Sequence, residues 1–152
     1  MFIFNRHKSE PIKSLGQKGE EFAQQTYQAL GFSIVAKNEY NKTGKRMGEI
    51  DFVAKNQEKI IFVEVKTRTE GSERFGKGED AVNFFKQQKI LRAVKIYLLK
   101  HPEYSTLVPQ IDVCTVSYSQ LDKSFKPAII ISNAVEDWNW RAMLVIFCPR
   151  QI

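Results

Sequence analysis

The chain has 152 residues, 43% of them hydrophobic and 26% charged, which fits one globular domain able to bury about two-thirds of its unfolded surface. Lys and Arg number 23 against 17 Asp and Glu, a net +6 that suits a polyanionic partner such as nucleic acid. No apolar run approaches the roughly 20 residues of a membrane span, and two isolated histidines (His7, His101) argue against zinc-finger and histidine-based nuclease sites. Cys114 and Cys148 show no paired or metal-like spacing, so a reducing, cytoplasmic setting is expected.

Residues 1–13 read as a mobile basic arm, because Met1 to Phe4 is too short for a signal-peptide core and runs into Arg6, His7 and Lys8. A single domain is expected over 14–134, followed by a tail over 135–152. A helix begins at Ser14, a suitable N-cap, and runs to Leu30, with Gly31 ending it. Leu15, Gly19, Phe22, Ala23, Thr26 and Leu30 form its inward stripe. Gly16 and Gly19 are poor helix formers and suggest close approach to another backbone. Glu20 lies at the stripe's edge, where it either reaches a site at the sheet's rim or serves as an acid near a helix N-terminus.

Residues 32–40 alternate as a first strand. Two further strands, 47–54 and 59–67, are rich in Ile, Val and Phe and flank a polar turn at Lys55, Asn56, Gln57 and Glu58. Symmetric pairing about that turn sets Ala54 opposite Lys59, Asp51 opposite Phe62 and Glu49 opposite Glu64. Asp51, Glu64 and Lys66 then share one face, while Ile50, Phe52, Ile61, Val63 and Val65 fill the other. A one-residue slip would separate Asp51 from Glu64 and Lys66.

Residues 69–79 contain Gly71, Gly76 and Gly78 and read as a loop beside this hairpin. Arg68, Arg74 and Lys77 would touch phosphates there, unless the loop is a plain solvated connector. A second helix spans 80–100 and stops before Pro102. It buries Val82, Phe85, Ile90, Ala93, Val94 and Tyr97, with Lys86, Lys89, Arg92 and Lys95 spread over the remainder as a solvated face. Residues 110–118 alternate as a fourth strand and 128–132 form a short fifth. The order is therefore αβββαβ(β), an α/β fold with a mixed central sheet flanked by helices, since a helical crossover returns the chain parallel. The tail's apolar run, 142–148, either packs on the core or serves a homodimer contact.

The hairpin face carries the chemistry. Mg²⁺ takes oxygen ligands, usually one or two carboxylates together with water and substrate phosphate. Asp51 and Glu64 supply two carboxylates, and the backbone carbonyl of Val65 a third oxygen. Mn²⁺ would substitute. Lys66 lies two residues beyond Glu64, about 6.6 Å along the strand, and could hold an attacking water or neutralise a phosphate. The plainer alternative is a wet strand face on which Glu64, Lys66 and Arg68 alternate outward.

These residues together resemble the bacterial YraN family, endonuclease-like proteins of the PD-(D/E)XK nuclease superfamily. The resemblance runs from about Leu15 to Asn133. Its carriers are Gly16-Gln17-Lys18-Gly19-Glu20, Gly48-Glu49-Ile50-Asp51, Phe62-Val63-Glu64-Val65-Lys66-Thr67-Arg68, Phe75-Gly76, Lys86 and Ile111-Asp112-Val113. It implies a restriction-endonuclease-like core of the Holliday junction resolvase type. It also implies catalytic roles for Asp51, Glu64 and Lys66, with Glu20 as an auxiliary metal-site residue and Lys86 near nucleic acid. Gln110 departs from the family, which tends to carry Arg there. The expected activity is Mg²⁺-dependent endonuclease hydrolysis of phosphodiester bonds in nucleic acid, with DNA, branched or structured forms included, as the expected substrate. The alternative is a binding module that keeps the fold without cutting.

Overall fold

The computed structural model describes residues 12–38, 50–71 and 84–135. The expectations for residues 1–11, Glu49, Arg74, Lys77 and the tail from residue 136 onward lie outside them.

Helix α1 (Leu15–Ala29) starts where its capping chemistry dictates. Ser14 Oγ accepts from Gln17 N at 3.2 Å, and Ser14 N donates to Gln17 Oε1 at 2.9 Å, a reciprocal capping box. Gly31 follows the helix at φ +89°, a conformation glycine adopts without penalty, and turns the chain into the first strand. The helix buries Gly19, Ala23, Gln24 and Tyr27. Leu30 was expected inside but is 60% exposed, because the helix has already ended there and the chain is turning away.

Six strands follow: β1 (Ser33–Lys37), β2 (Phe52–Lys55), β3 (Lys59–Thr69), β4 (Val108–Ser119), β5 (Ser124–Phe125) and β6 (Ile129–Ile131). They form one mixed sheet in the order β1-β2-β3-β4-β5, with β6 also pairing β4. The β1/β2 and β2/β3 pairs are antiparallel, and β3 runs parallel to β4 from Lys59↔Val108 to Thr69↔Tyr118. Helix α2 (Phe84–Lys100) is the crossover between these parallel strands, and a 3-10 turn (Pro102–Tyr104) follows it. The expected mixed sheet flanked by helices is what forms, with β5 as an addition.

The sheet is apolar on both faces. On one, Ala23 and Tyr27 of α1 pack on Phe52, Ala54, Ile61, Val63, Cys114 and Val116. On the other, Ile90, Ala93, Val94 and Tyr97 of α2 pack on Val53, Ile60, Phe62 and Ile111. The hairpin face bearing Glu64 is thus part of the α2 core and not the wet face of an edge strand. Cys114 is buried between α1 and the sheet, and burial, then the charge of Asp112, pushes its thiol up to about 11.

Gly19 allows the closest approach between α1 and β3. A Cβ there would collide with Thr67 Oγ1 and lie 2.8 Å from Thr67 Cγ2 and 2.9 Å from Thr67 Cβ. At Gly16 the nearest atom is Ser14 Oγ, 3.9 Å away. Gly16→Ala therefore raises stability by up to about 1 kcal/mol, as helix propensity alone dictates. Gly19→Ala lowers it by about 1–3 kcal/mol through overpacking. Urea denaturation of the two variants, with Thr67→Ala added to relieve the clash in part, checks the sign at each position.

Candidate metal centre

The β2/β3 register differs from the symmetric pairing by two residues: Phe52 faces Val63, Val53 faces Phe62 and Ala54 faces Ile61. The reason lies in the connection. Asn56 Oδ1 accepts from both Glu58 N (2.9 Å) and Lys59 N (2.7 Å), and Asn56 N donates to Lys59 O, so the tight turn closes on Asn56 and Lys59. A shift of two leaves every side chain on its face. It also brings Asp51 level with Glu64, where the symmetric pairing set it opposite Phe62.

Asp51 stands one residue before β2. Its N–H donates to Val63 O at 2.9 Å, toward β3, while its carbonyl accepts from Asn38 N at 2.8 Å, toward β1. In a regular strand both groups of one residue point to the same neighbour, so the backbone turns at Asp51. Ile50 consequently joins the α2 core with Val53, instead of sharing Phe52's face as expected. The same turn swings the Asp51 side chain to β3, where Oδ2 accepts from Val65 N at 2.6 Å. The carboxylate takes the ladder position that β2 no longer fills.

Asp51 and Glu64 are 6% and 8% exposed, and Glu64 Oε2 is shielded from solvent. Two like charges brought together out of water are unfavourable unless a cation joins them. Val65 directs its N–H, and hence its carbonyl, toward the Asp51 edge. Two carboxylates and a carbonyl suit Mg²⁺, which completes its shell with water and substrate oxygens. Among the described residues no group of three His, Cys, Asp or Glu assembles.

Lys66 is half-buried and follows Glu64 on the same face of β3, with exposed Arg68 next in that row. Glu20 is half-buried on α1, which covers the opposite face and meets β3 at Thr67. Lys86 belongs to the first turn of α2, and its side chain lies outside the described residues.

A buried polar network escaped sequence reasoning. Asp112, 1% exposed, accepts from Tyr27 OH (2.8 Å) through Oδ2, and from Gln110 Nε2 (2.8 Å) and Asn133 N (3.2 Å) through Oδ1. Gln110 Oε1 in turn accepts from Lys59 Nζ at 3.3 Å. Asp112 projects toward α1, away from Glu64, and fastens that helix to β4. Burial, then the charge of Asp112, raises the Tyr27 hydroxyl far above its ordinary range. Eighty-five residues separate Tyr27 from Asp112, and no local pattern signals their pairing.

Among the described residues no helix is long and apolar enough to cross a membrane. The chain is similar to curated proteins along most of its length. A UPF0102 protein of Caldanaerobacter subterraneus is 38% identical over 104 residues, covering 68% of this chain and 80% of the relative. One from Nostoc is 36% identical over 121 residues (76% and 83%), and one from a Synechococcus strain is 33% identical over 133 residues (86% and 98%). The family model described as "Uncharacterised protein family UPF0102" matches residues 19–116, a span that includes Asp51, Glu64, Lys66 and Asp112. The chain belongs to this family.

Proposed function

We propose that this protein is a divalent-metal-dependent endonuclease on the PD-(D/E)XK plan, hydrolysing phosphodiester bonds in nucleic acid, with DNA, branched or structured forms included, as its substrate. The observation that carries the reading is the backbone turn at Asp51, which brings a buried carboxylate onto the N–H of Val65, the residue next to buried Glu64 on β3. The YraN resemblance assigns catalytic roles to the same residues.

Asp51, Glu64 and the Val65 carbonyl would hold Mg²⁺ or Mn²⁺. When bound, the cation would polarise the scissile phosphate and lower the pKa of a water molecule. The Val65 N–H bond fixes the Asp51 carboxylate, so the site needs little reorganisation when the substrate arrives. Lys66 holds the attacking water or meets the negative charge that develops on the phosphate. A lysine side chain offers donors and no acceptor, which suits charge stabilisation better than proton abstraction. Arg68, exposed farther along the strand, contacts a flanking phosphate.

One observation favours a second reading. Capping Val65 N–H is by itself a structural role for Asp51, and a non-cutting nucleic-acid-binding module would need no more from it. Pure protein incubated with linear, nicked and branched DNA separates the two readings. Endonuclease function predicts cleavage of at least one substrate with Mg²⁺ or Mn²⁺ and none with EDTA. Folded protein inert on the whole panel contradicts it.

A further inference from the structure

The chain's positive charge is concentrated in one element. Of the 23 basic and 17 acidic residues, α2 holds five basic (Lys86, Lys89, Arg92, Lys95 and Lys100) and no acidic one. The remainder is nearly balanced, 18 to 17. At 100° per residue, Lys89, Arg92, Lys95 and Lys100 fall within an arc of about 140°, and all four are exposed. Ile90, Ala93, Val94 and Tyr97 occupy the opposite side, against the sheet. Read on the helix, these cations form one outward face, where the sequence suggested a scatter.

The helix that carries this face crosses over the strand bearing Glu64 and Lys66. Because β3 and β4 are parallel, α2 runs back from the Thr69 end of β3 toward the Lys59 end. It covers the sheet face from which Glu64 and Lys66 project. From Lys89 to Lys100 the helix rises about 16 Å at 1.5 Å per residue, enough to follow two or three phosphates.

We infer that the outer face of α2, through Lys89, Arg92 and Lys95 with Lys100 at its far end, binds the phosphate backbone of nucleic acid, positioning it without reading sequence. The inference takes its partner from the proposed function but does not depend on cleavage. An exposed helix that repels itself along one face and has no intrahelical acid to offset it gains most from a regularly spaced polyanion.

The test compares two triple variants of equal charge change. One is Lys89→Gln/Arg92→Gln/Lys95→Gln. The other, Lys18→Gln/Lys37→Gln/Lys123→Gln, removes exposed cations elsewhere on the surface. Fluorescence anisotropy with a labelled 30-base-pair duplex in EDTA measures binding without cutting, and circular dichroism confirms that each variant keeps its helices. The α2 variant should bind at least tenfold more weakly, with a salt slope shallower by about 2 to 3. The control should stay within about twofold of the parent. Equal losses in both variants overturn the inference, as does a parent that leaves the duplex unbound, whether or not it binds phosphatidylserine vesicles. Single Arg92→Gln, which preserves helix propensity, should lose binding by a smaller factor in the same direction; no loss there and none in the triple also overturns it. Duplex binding through α2 without cleavage on any substrate would reject the nuclease reading and leave this surface standing.

Discussion

Asp51→Asn, freed of divalent metal with EDTA, melts about 2–3 °C above the parent, and with Mg²⁺ supplied it cleaves at least about 10³-fold more slowly. Two unit charges about 5 Å apart repel by about 3 kcal/mol at an effective dielectric of 20, and Lys66 and solvent screening leave about 1 kcal/mol of that. Asparagine removes this repulsion while its amide oxygen still accepts from Val65 N–H. Asp51→Ala removes that acceptor as well and costs about 1–3 kcal/mol, because a partly buried N–H is left without one. Mg²⁺ at about 100 times its dissociation constant stabilises the parent by about 2.7 kcal/mol and the Asn variant negligibly. Thermal melts in EDTA and in Mg²⁺ read all three proteins. Loss of stability in Asp51→Asn, together with a parent indifferent to Mg²⁺, would reduce Asp51 to a strand cap.

The second large effect is on stability alone. Asp112→Ala strips acceptors from Tyr27 OH, Gln110 Nε2 and Asn133 N at once and costs about 4 kcal/mol. Tyr27→Phe removes one donor from the same carboxylate and costs about 2 kcal/mol, or about 6 °C in melting temperature. The Tyr27 penalty also depends on pH in a definite direction. An unfolded tyrosine ionises near pH 10, whereas the folded hydroxyl keeps its proton well above that. Stability from this group is therefore complete below about pH 10 and falls above it, by about 1.4 kcal/mol per pH unit. The gap between parent and Tyr27→Phe should hold from pH 7 to 9 and narrow beyond pH 10. Urea denaturation across that range measures it. A gap independent of pH would mean that Tyr27 is not shielded as the structure places it.

Local chemistry made much of this fold legible. Ser14 announced the start of α1, Gly31 its end, and Pro102 the end of α2. The expected face of Glu64 and Lys66 survived a pairing error because the true register differs by two residues, which preserves alternation, whereas Asp51 reaches β3 through a backbone turn that brings its carboxylate to Val65 N–H. Ile50 did not survive, since a backbone turn at Asp51 breaks the alternation on which its placement relied. The turn is set by hydrogen bonds to Asn38 and Val63, residues on two different strands, and the local sequence has no means of showing it. Tyr27 and Asp112 were opaque for a related reason: they lie far apart in the chain, and each acquires its meaning only from the other. The absence of acid between residues 84 and 100 was visible in the sequence all along. Its weight emerged only when the buried arc of the helix was known.

The proposed function has Asp51 and Glu64 sharing one divalent cation. Crystals of the protein soaked in Mn²⁺, with diffraction measured for anomalous scattering, test it directly. An anomalous peak is expected within about 2–2.5 Å of a carboxylate oxygen of each residue, with the Val65 carbonyl beside it. No peak is expected in Asp51→Asn crystals treated alike. An occupied Mn²⁺ site elsewhere on the protein, with none between Asp51 and Glu64, would contradict it.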